Sequence, residues 1–230
     1  MSQFAQLEEL MKLKFKHPQL LELAFTHRSF LNEHRETAEH NERLEFLGDA
    51  VLELIVTEYL YLTYKDKPEG ELTNWRSALV RGDNLARIAR KLEIGQYLRL
   101  SRGEENSGGR SKDYILANAV EALIGAVYLE KGIKGAKLFI DQFIILGLED
   151  ILAAKLHLDA KSTFQELAQA GEEITPEYRL LHEEGPDHEK IFTMGVYLGE
   201  ELIAEGQGSS KQSAEEQAAR KALDLKRYET

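Results

Sequence analysis

The sequence predicts an all-α domain followed by a smaller α+β domain of order α-β-β-β-α. Three observations carry this. Apolar residues recur at helical spacing through most of residues 1–155. The pattern then changes to period 2, with Phe192, Met194, Val196 and Leu198 alternating with Thr193, Gly195 and Tyr197. A final stripe of Ala214, Ala218 and Ala222 returns to helical spacing. The expected boundaries are residues 1–155, a linker at 156–160, and 161–228.

Taken in order, Leu7, Leu10, Met11 and Phe15 predict a first helix, which His17-Pro18 ends. Residues 20–25 begin a second. Asn41 is placed to cap a long helix running to about Tyr61. The stretch KDKPEG at 65–70 predicts a turn. Residues 72–92 resume helical spacing as one unit, with Leu79, Ile88 and Leu92 as anchors. Residues 101–111, rich in glycine and serine, predict a flexible loop. Helices follow at 114–129 and 133–154. In the second domain, Ser162 and Gln165 suggest a capping box for a helix at 163–170. Strands are expected at 178–183, 190–199 and 201–205, and a helix at 210–223.

Composition narrows the class. With 43% hydrophobic and 30% charged residues, the chain can build a core and stay in water. No apolar run approaches the ~20 residues that span a bilayer, and the N-terminus lacks the basic start and unbroken apolar stretch of a signal peptide. The expectation is no membrane and a cytoplasmic location. The absence of cysteine removes disulfides and thiolate metal sites. The net charge of −11 argues by itself against nucleic-acid binding. Residues 159–230 hold 16 acidic and 8 basic residues, which leaves 24 and 21 for the rest. Any RNA contact must rest on local patches.

The most informative stretch is NERLEFLGDA at 41–50. At about 100° per residue, Glu42, Glu45 and Asp49 lie within roughly 60° of one another on a helix. Leu44, Leu47 and Val51 lie opposite. An acidic helix face is commonly a solvated surface. Like charges at these spacings nevertheless cost stability, and a hard divalent cation would relieve them. Further along, Asn118 and Glu121, three residues apart, share a face within LANAVEALIGA. Glu69 and Glu71 sit at the turn PEGEL. Phe46 falls about 40° from Glu42, on the acidic side. A large aromatic there packs either under a neighbouring helix or against a second copy across a two-fold axis.

The segment ERLEFLGDA, with EALIGA at 121–126 and the α-β-β-β-α tail, resembles the ribonuclease III family over about residues 4–225. The tail resembles a double-stranded-RNA-binding domain. The resemblance implies catalytic carboxylates at Asp49 and Glu121. It implies Mg²⁺ held by Glu45, Asn118 and Glu121, with Mn²⁺ as a substitute, and Glu42 and Glu69 as auxiliary acids. The implied chemistry is attack of a metal-activated water on the phosphodiester of double-stranded RNA. This leaves 5′-phosphate and 3′-hydroxyl ends with staggered cuts, in the processing of precursor rRNA and mRNA. Family members are homodimers with an aromatic contact at the position of Phe46. Gln165, His188 and Lys211 would meet RNA, and Gln212 stands where many such domains carry a second basic residue. Arg76, Arg81, Arg102, Arg110 and Lys112 are candidate phosphate contacts of the nuclease domain.

One position departs from the pattern. Residue 118 is Asn where many members carry Asp, so the site is one charge short. The alternative reading is a double-stranded-RNA-binding protein of the same fold with little or no cleavage. His27, in THRS, reads as a packing or hydrogen-bonding residue rather than a base.

Overall fold

The computed structural model describes residues 3–34, 39–153, 160–185 and 190–226. The chain divides into two compact units, Met1–His157 and Leu158–Thr230. The linker expected at 156–160 falls outside the described residues except for Ala160, which already opens a helix.

The first unit is helical: α1 (Ala5–Met11), α2 (Gln19–Ala24), α3 (Glu42–Thr63), α4 (Glu69–Val80), α5 (Gly82–Lys91), α6 (Arg102–Asn106), α7 (Asp113–Phe143) and α8 (Leu148–Ala153). Its core is built around α3 and α7. On α3, Leu44, Val51, Leu52, Ile55, Val56 and Leu60 are buried at spacings of three and four. Helix α7 buries nearly every residue from Ile115 to Val127, which makes it the central element. Each such aliphatic side chain contributes about 1.5–3 kcal/mol on burial. Gly132 interrupts α7 in a positive-φ conformation (φ 66°) that glycine tolerates. The interruption falls between the two helices expected there.

Three helices depart from expectation: the one expected over 133–154 ends at Phe143, and α8 follows a 3₁₀ turn at Ile145–Gly147. The single helix expected over 72–92 is two, because Arg81 is extended (φ −60°, ψ 142°) and turns the chain between α4 and α5. Asn84 fixes that corner by donating its side-chain amide to the Leu79 carbonyl at 2.6 Å. The apolar spacing of Leu79, Leu85 and Ile88 continues across the corner, so the pattern alone did not reveal it. Asn41 precedes α3 as expected but does not cap it. Its side chain is buried and donates to the Ala24 carbonyl at 3.2 Å, tying α2 to the start of α3.

Glu130 on α7 is a structural acid that periodicity does not single out. Its side chain is 1% exposed. It accepts the backbone N–H groups of Lys16 (2.9 Å) and His17 (3.3 Å) and pairs with His17 Nδ1 at 2.9 Å. The Lys16 N–H is the leading reason its carboxyl is held down at about 2. This contact straps the chain ahead of α2 onto α7.

The second unit contains α9 (Ala160–Glu172), β1 (Glu177–Glu184), β2 (Ile191–Leu198), β3 (Glu201–Gly208) and α10 (Lys211–Lys226). The strands form one antiparallel sheet in the order β1-β2-β3. Phe164 and Ala168 of α9 and Ala218, Ala219 and Ala222 of α10 pack on Val196, Leu198 and Ala204. The alanine stripe lets α10 lie close to β3: a Cβ on Gly206 would meet the Ala214 carbonyl oxygen at 2.2 Å. Ser210 and Ser213 cap α10 reciprocally, each hydroxyl accepting the other's backbone N–H at 3.1 Å. Helix α9 is already formed at Ala160, so Ser162 lies within its first turn and does not precede it.

Candidate active site

Helices α3 and α7 cross at two glycines. A Cβ on Gly48 would lie 1.7 Å from the Glu121 carbonyl oxygen, and one on Gly125 would lie 2.3 Å from the Leu44 carbonyl oxygen. The two backbones therefore touch. Glycine inside an apolar helix costs about 1 kcal/mol relative to alanine, and here it permits the close approach. That cost was the sequence signal that could have marked both positions.

The crossing brings the predicted acids of the two motifs together. Glu45 is half-buried on α3 and Asp49 is exposed one turn on. Asn118 and Glu121 face them from α7, both half-buried. Burial is the main reason that Glu121's carboxyl is pushed up to about 7, with the Asp49 and Glu45 carboxylates adding to the shift. Glu45 is also raised, first by burial and then by Glu42, while a hydrogen bond from Asn118 opposes the shift. The site thus carries more negative charge than it can comfortably keep ionised. All its donors are oxygens except the amide nitrogen of Asn118, which suits a hard cation. No group of three or more His, Cys, Asp or Glu side chains among the described residues is placed to hold a metal ion unaided. An ion here would complete its shell with water and phosphate oxygens, as Mg²⁺ commonly does.

The other predicted residues lie as follows. Glu42, the first residue of α3, is 3.4 Å from Arg28 and 3.8 Å from His40. Glu69 is not with these acids. It begins α4, accepts the Thr73 hydroxyl at 3.1 Å, and lines a separate cavity of about 650 Å³. Phe46 is 81% exposed, so the alternative that it packs under a neighbouring helix of its own chain is ruled out. His27 is a local hydrogen-bonding residue: its Nδ1 accepts the Ser29 N–H at 3.3 Å and pairs with the Ser29 hydroxyl at 2.9 Å. Burial lowers its pKa, which favours the neutral ring.

The glycine-rich segment is ordered, contrary to expectation. It contains α6 and a 3₁₀ turn at Gly109–Ser111. Arg110 holds it together, donating to the carbonyls of Gly95 (2.9 Å) and Leu98 (2.8 Å) and to Glu105 (2.6 Å). Lys112 pairs with Glu104 at 2.7 Å and holds its carboxyl below the usual range. Glycine content suggested flexibility, but these side-chain bonds override it. In the second unit, Gln165, Lys211 and Gln212 are exposed, with Lys211 the first residue of α10. His188 lies outside the described residues.

A helical unit with acids on two crossing helices, followed by an α-β-β-β-α unit with a lysine at the head of its last helix, has the architecture of a nuclease that carries a double-stranded-RNA-binding module. Comparison with known proteins agrees. Residues 17–148 match the family model "Ribonuclease-III-like", and residues 160–226 match "Double-stranded RNA binding motif". The chain is 47% identical over 224 residues to Ribonuclease 3 of Carboxydothermus hydrogenoformans, covering 97% of this chain and 95% of that protein. It is 47% identical over 219 residues to Ribonuclease 3 of Enterococcus faecalis, covering 95% of each. Among solved structures it is similar to the nuclease domain of ribonuclease III from Campylobacter jejuni. That match has 42% identity and a TM-score of 0.59, and covers 64% of this chain and 97% of that one. A second structure of the same domain concerns flexibility in a region involved in its dimer formation; it matches at 43% identity and a TM-score of 0.58, covering 61% of this chain and 95% of that one. The chain belongs to the ribonuclease III family. It is an endoribonuclease with a double-stranded-RNA-binding domain.

Proposed function

We propose that the protein hydrolyses double-stranded RNA with the help of Mg²⁺, or Mn²⁺ in its place, held by Glu45, Asn118 and Glu121 beside Asp49. The observation that carries this reading is Glu121, whose carboxyl is pushed up to about 7 by burial and two facing carboxylates. Such a group is poised to release its proton to solvent and take a cation in its place near neutral pH. The bound metal would supply an activated water and offset charge on the scissile phosphate. Asp49, the one exposed group of the four, would meet water and RNA. Asn118 donates a hydrogen bond to Glu45 and so opposes the rise that burial and Glu42 impose on its carboxyl. The cut would leave 5′-phosphate and 3′-hydroxyl ends. By analogy with the family the substrates would be precursor rRNA and mRNA in the cytoplasm. Among the described residues no helix is long and apolar enough to cross a membrane. Residues 1–155 would form the nuclease domain and 161–228 the RNA-binding domain, with Gln165, His188, Lys211 and Gln212 on the RNA side.

The test is incubation of the purified chain with long double-stranded RNA under Mg²⁺ or Mn²⁺, beside Asn118→Asp. Metal-dependent fragments from the unaltered chain are the expected result. Binding without cleavage under either metal, with cleavage restored in Asn118→Asp, would favour the reading of an RNA-binding protein with a silenced site.

The functional form would be a homodimer. Phe46 projects into solvent among Glu42, Glu45 and Asp49, and Leu54 and Tyr61 continue its exposed stripe along α3. The cavity beside Glu69 is lined by Leu60, Leu62 and Leu72 and also by Lys65, Lys67 and Arg76. An exposed phenyl among acids and a cavity with apolar and basic lining residues would be complementary across a two-fold axis. The same contact would carry Glu69 toward the acids of a second copy. Phe46→Asp is expected to weaken association by at least tenfold, since burying the new charge is costly. An unchanged sedimentation mass at low micromolar protein would contradict the proposal.

A further inference from the structure

We infer that Arg102 contacts a backbone phosphate of the RNA duplex and so helps to position it beside the acids. This rests on the reading above of a double-stranded RNA substrate. Five cations of the nuclease unit were candidates for such contacts, and the structure engages four of them internally. Arg76 pairs with Glu53 at 3.1 Å, and Arg81 with Asp83 at 2.8 Å. Arg110 is committed to two backbone carbonyls and Glu105, and Lys112 to Glu104. The Arg102 side chain is exposed, and among the described residues its guanidinium has no hydrogen bond or ion pair.

Its backbone, in contrast, is fixed. The Arg102 N–H donates to Glu33 Oε1 at 2.9 Å, and the preceding N–H, of Ser101, donates to the Ser29 hydroxyl at 3.1 Å. A few residues earlier, Arg99 and the 25–27 segment exchange backbone bonds: the Arg99 N–H donates to the Phe25 carbonyl at 2.8 Å, and the His27 N–H to the Arg99 carbonyl at 3.1 Å. These bonds make residues 25–33 and 99–102 one block. The block adjoins the acidic end of α3, because its Arg28 lies 3.4 Å from Glu42. Arg102 is thus anchored at the backbone and free at the guanidinium, at the border of a site too acidic to attract RNA by itself. A planar guanidinium matches two phosphate oxygens at once, and a fixed backbone reduces the ordering cost of the contact.

A phosphate contact has a signature that a structural role lacks. Each neutralised phosphate adds about 0.7–0.9 to the slope of log affinity against log salt. Binding of the full chain to a synthetic RNA duplex is measured with EDTA present, from about 50 to 200 mM salt. Four proteins are compared: the unaltered chain, Arg102→Ala, Arg102→Lys and Lys137→Ala. Lys137 pairs with Asp141 on α7 and controls for the loss of one positive charge. The expected result is a slope shallower by nearly one in Arg102→Ala alone, with Arg102→Lys close to the unaltered chain and thermal melting unchanged. If Arg102→Ala keeps the full slope, or Lys137→Ala loses as much, the inference is overturned while RNA binding stands. If the unaltered chain fails to bind the duplex at any salt, both fall.

Discussion

Gly125→Ala is expected to lower the unfolding free energy by about 3 kcal/mol or more, near the upper end of overpacking costs. The added methyl would sit 2.3 Å from the Leu44 carbonyl oxygen and 3.3 Å from the Gly48 nitrogen. Both are backbone atoms of α3, so no side chain can rotate away. The helices must separate, and the separation reaches the core, because α3 and α7 pack along much of their length. It also reaches the site. Glu45 and Asp49 stand on one of the separating helices, and Asn118 and Glu121 on the other. Cleavage should therefore fall with stability, even under conditions where the variant remains folded. Denaturant midpoints and cleavage rates measured well below the midpoint check both parts. A variant that melts like the unaltered chain would show that the backbones do not touch.

Glu121→Gln should act in opposite directions on stability and activity. In the metal-free protein the Glu121 carboxyl sits at about 7, above its ordinary value near 4.5. The folded state therefore binds this proton more tightly than the unfolded state does. Between those two values the folded protein holds more protons, so stability falls as pH rises. The penalty is complete above pH 7. Glutamine has no such proton to lose and keeps nearly the same shape. At pH 8 without metal, Glu121→Gln is expected to be more stable than the unaltered chain by about 2 kcal/mol, and the difference should shrink toward pH 4.5. Cleavage under Mg²⁺ should drop at least about 100-fold, since even indirect partners of a bound metal contribute 10–100-fold. Adding Mn²⁺ should raise the melting temperature of the unaltered chain and leave that of the variant nearly unchanged. A variant less stable than the parent at pH 8 would mean that Glu121 carries no electrostatic penalty, and the main support for a metal there would be lost.

The trade-off in Glu121 clarifies Asn118. A fourth carboxylate at that position would face Glu45 and add repulsion where burial, and after it the neighbouring carboxylates, already raise Glu45 and Glu121. The amide instead donates to Glu45. Asn118 thus reduces the cost of holding the acids together before a cation arrives, at the expense of one charge toward that cation.

Much of this was legible in the sequence. The order of helices, the change to period 2 at residue 192, the acidic stripe of α3 and the second motif on α7 follow from side-chain spacing, which local geometry dictates. The exposure of Phe46 was one of two alternatives that spacing left open. The rest needed contacts between residues far apart in the chain. Arg81 turns a corner that apolar periodicity runs straight across, because the core accepts Leu79, Leu85 and Ile88 from either side of it. The glycine-rich segment at 101–111 read as flexible, yet Arg110 and the Glu104–Lys112 pair order it through bonds that composition does not encode. Spacing does not single out Glu130; its role comes from the N–H groups of Lys16 and His17, more than 110 residues away.

The sequence by itself determined which faces are apolar and which acids share a helix face, because 3.6 residues per turn fix those relations within each helix. The tertiary structure decided how closely the two acidic faces meet and which charges are left free. Contact between the α3 and α7 backbones at Gly48 and Gly125 sets the first, and burial there, with the facing carboxylates, raises Glu121. The internal partners of Arg76, Arg81, Arg110 and Lys112 set the second. Both depend on distances across the fold, and the spacing of residues along the chain does not contain them.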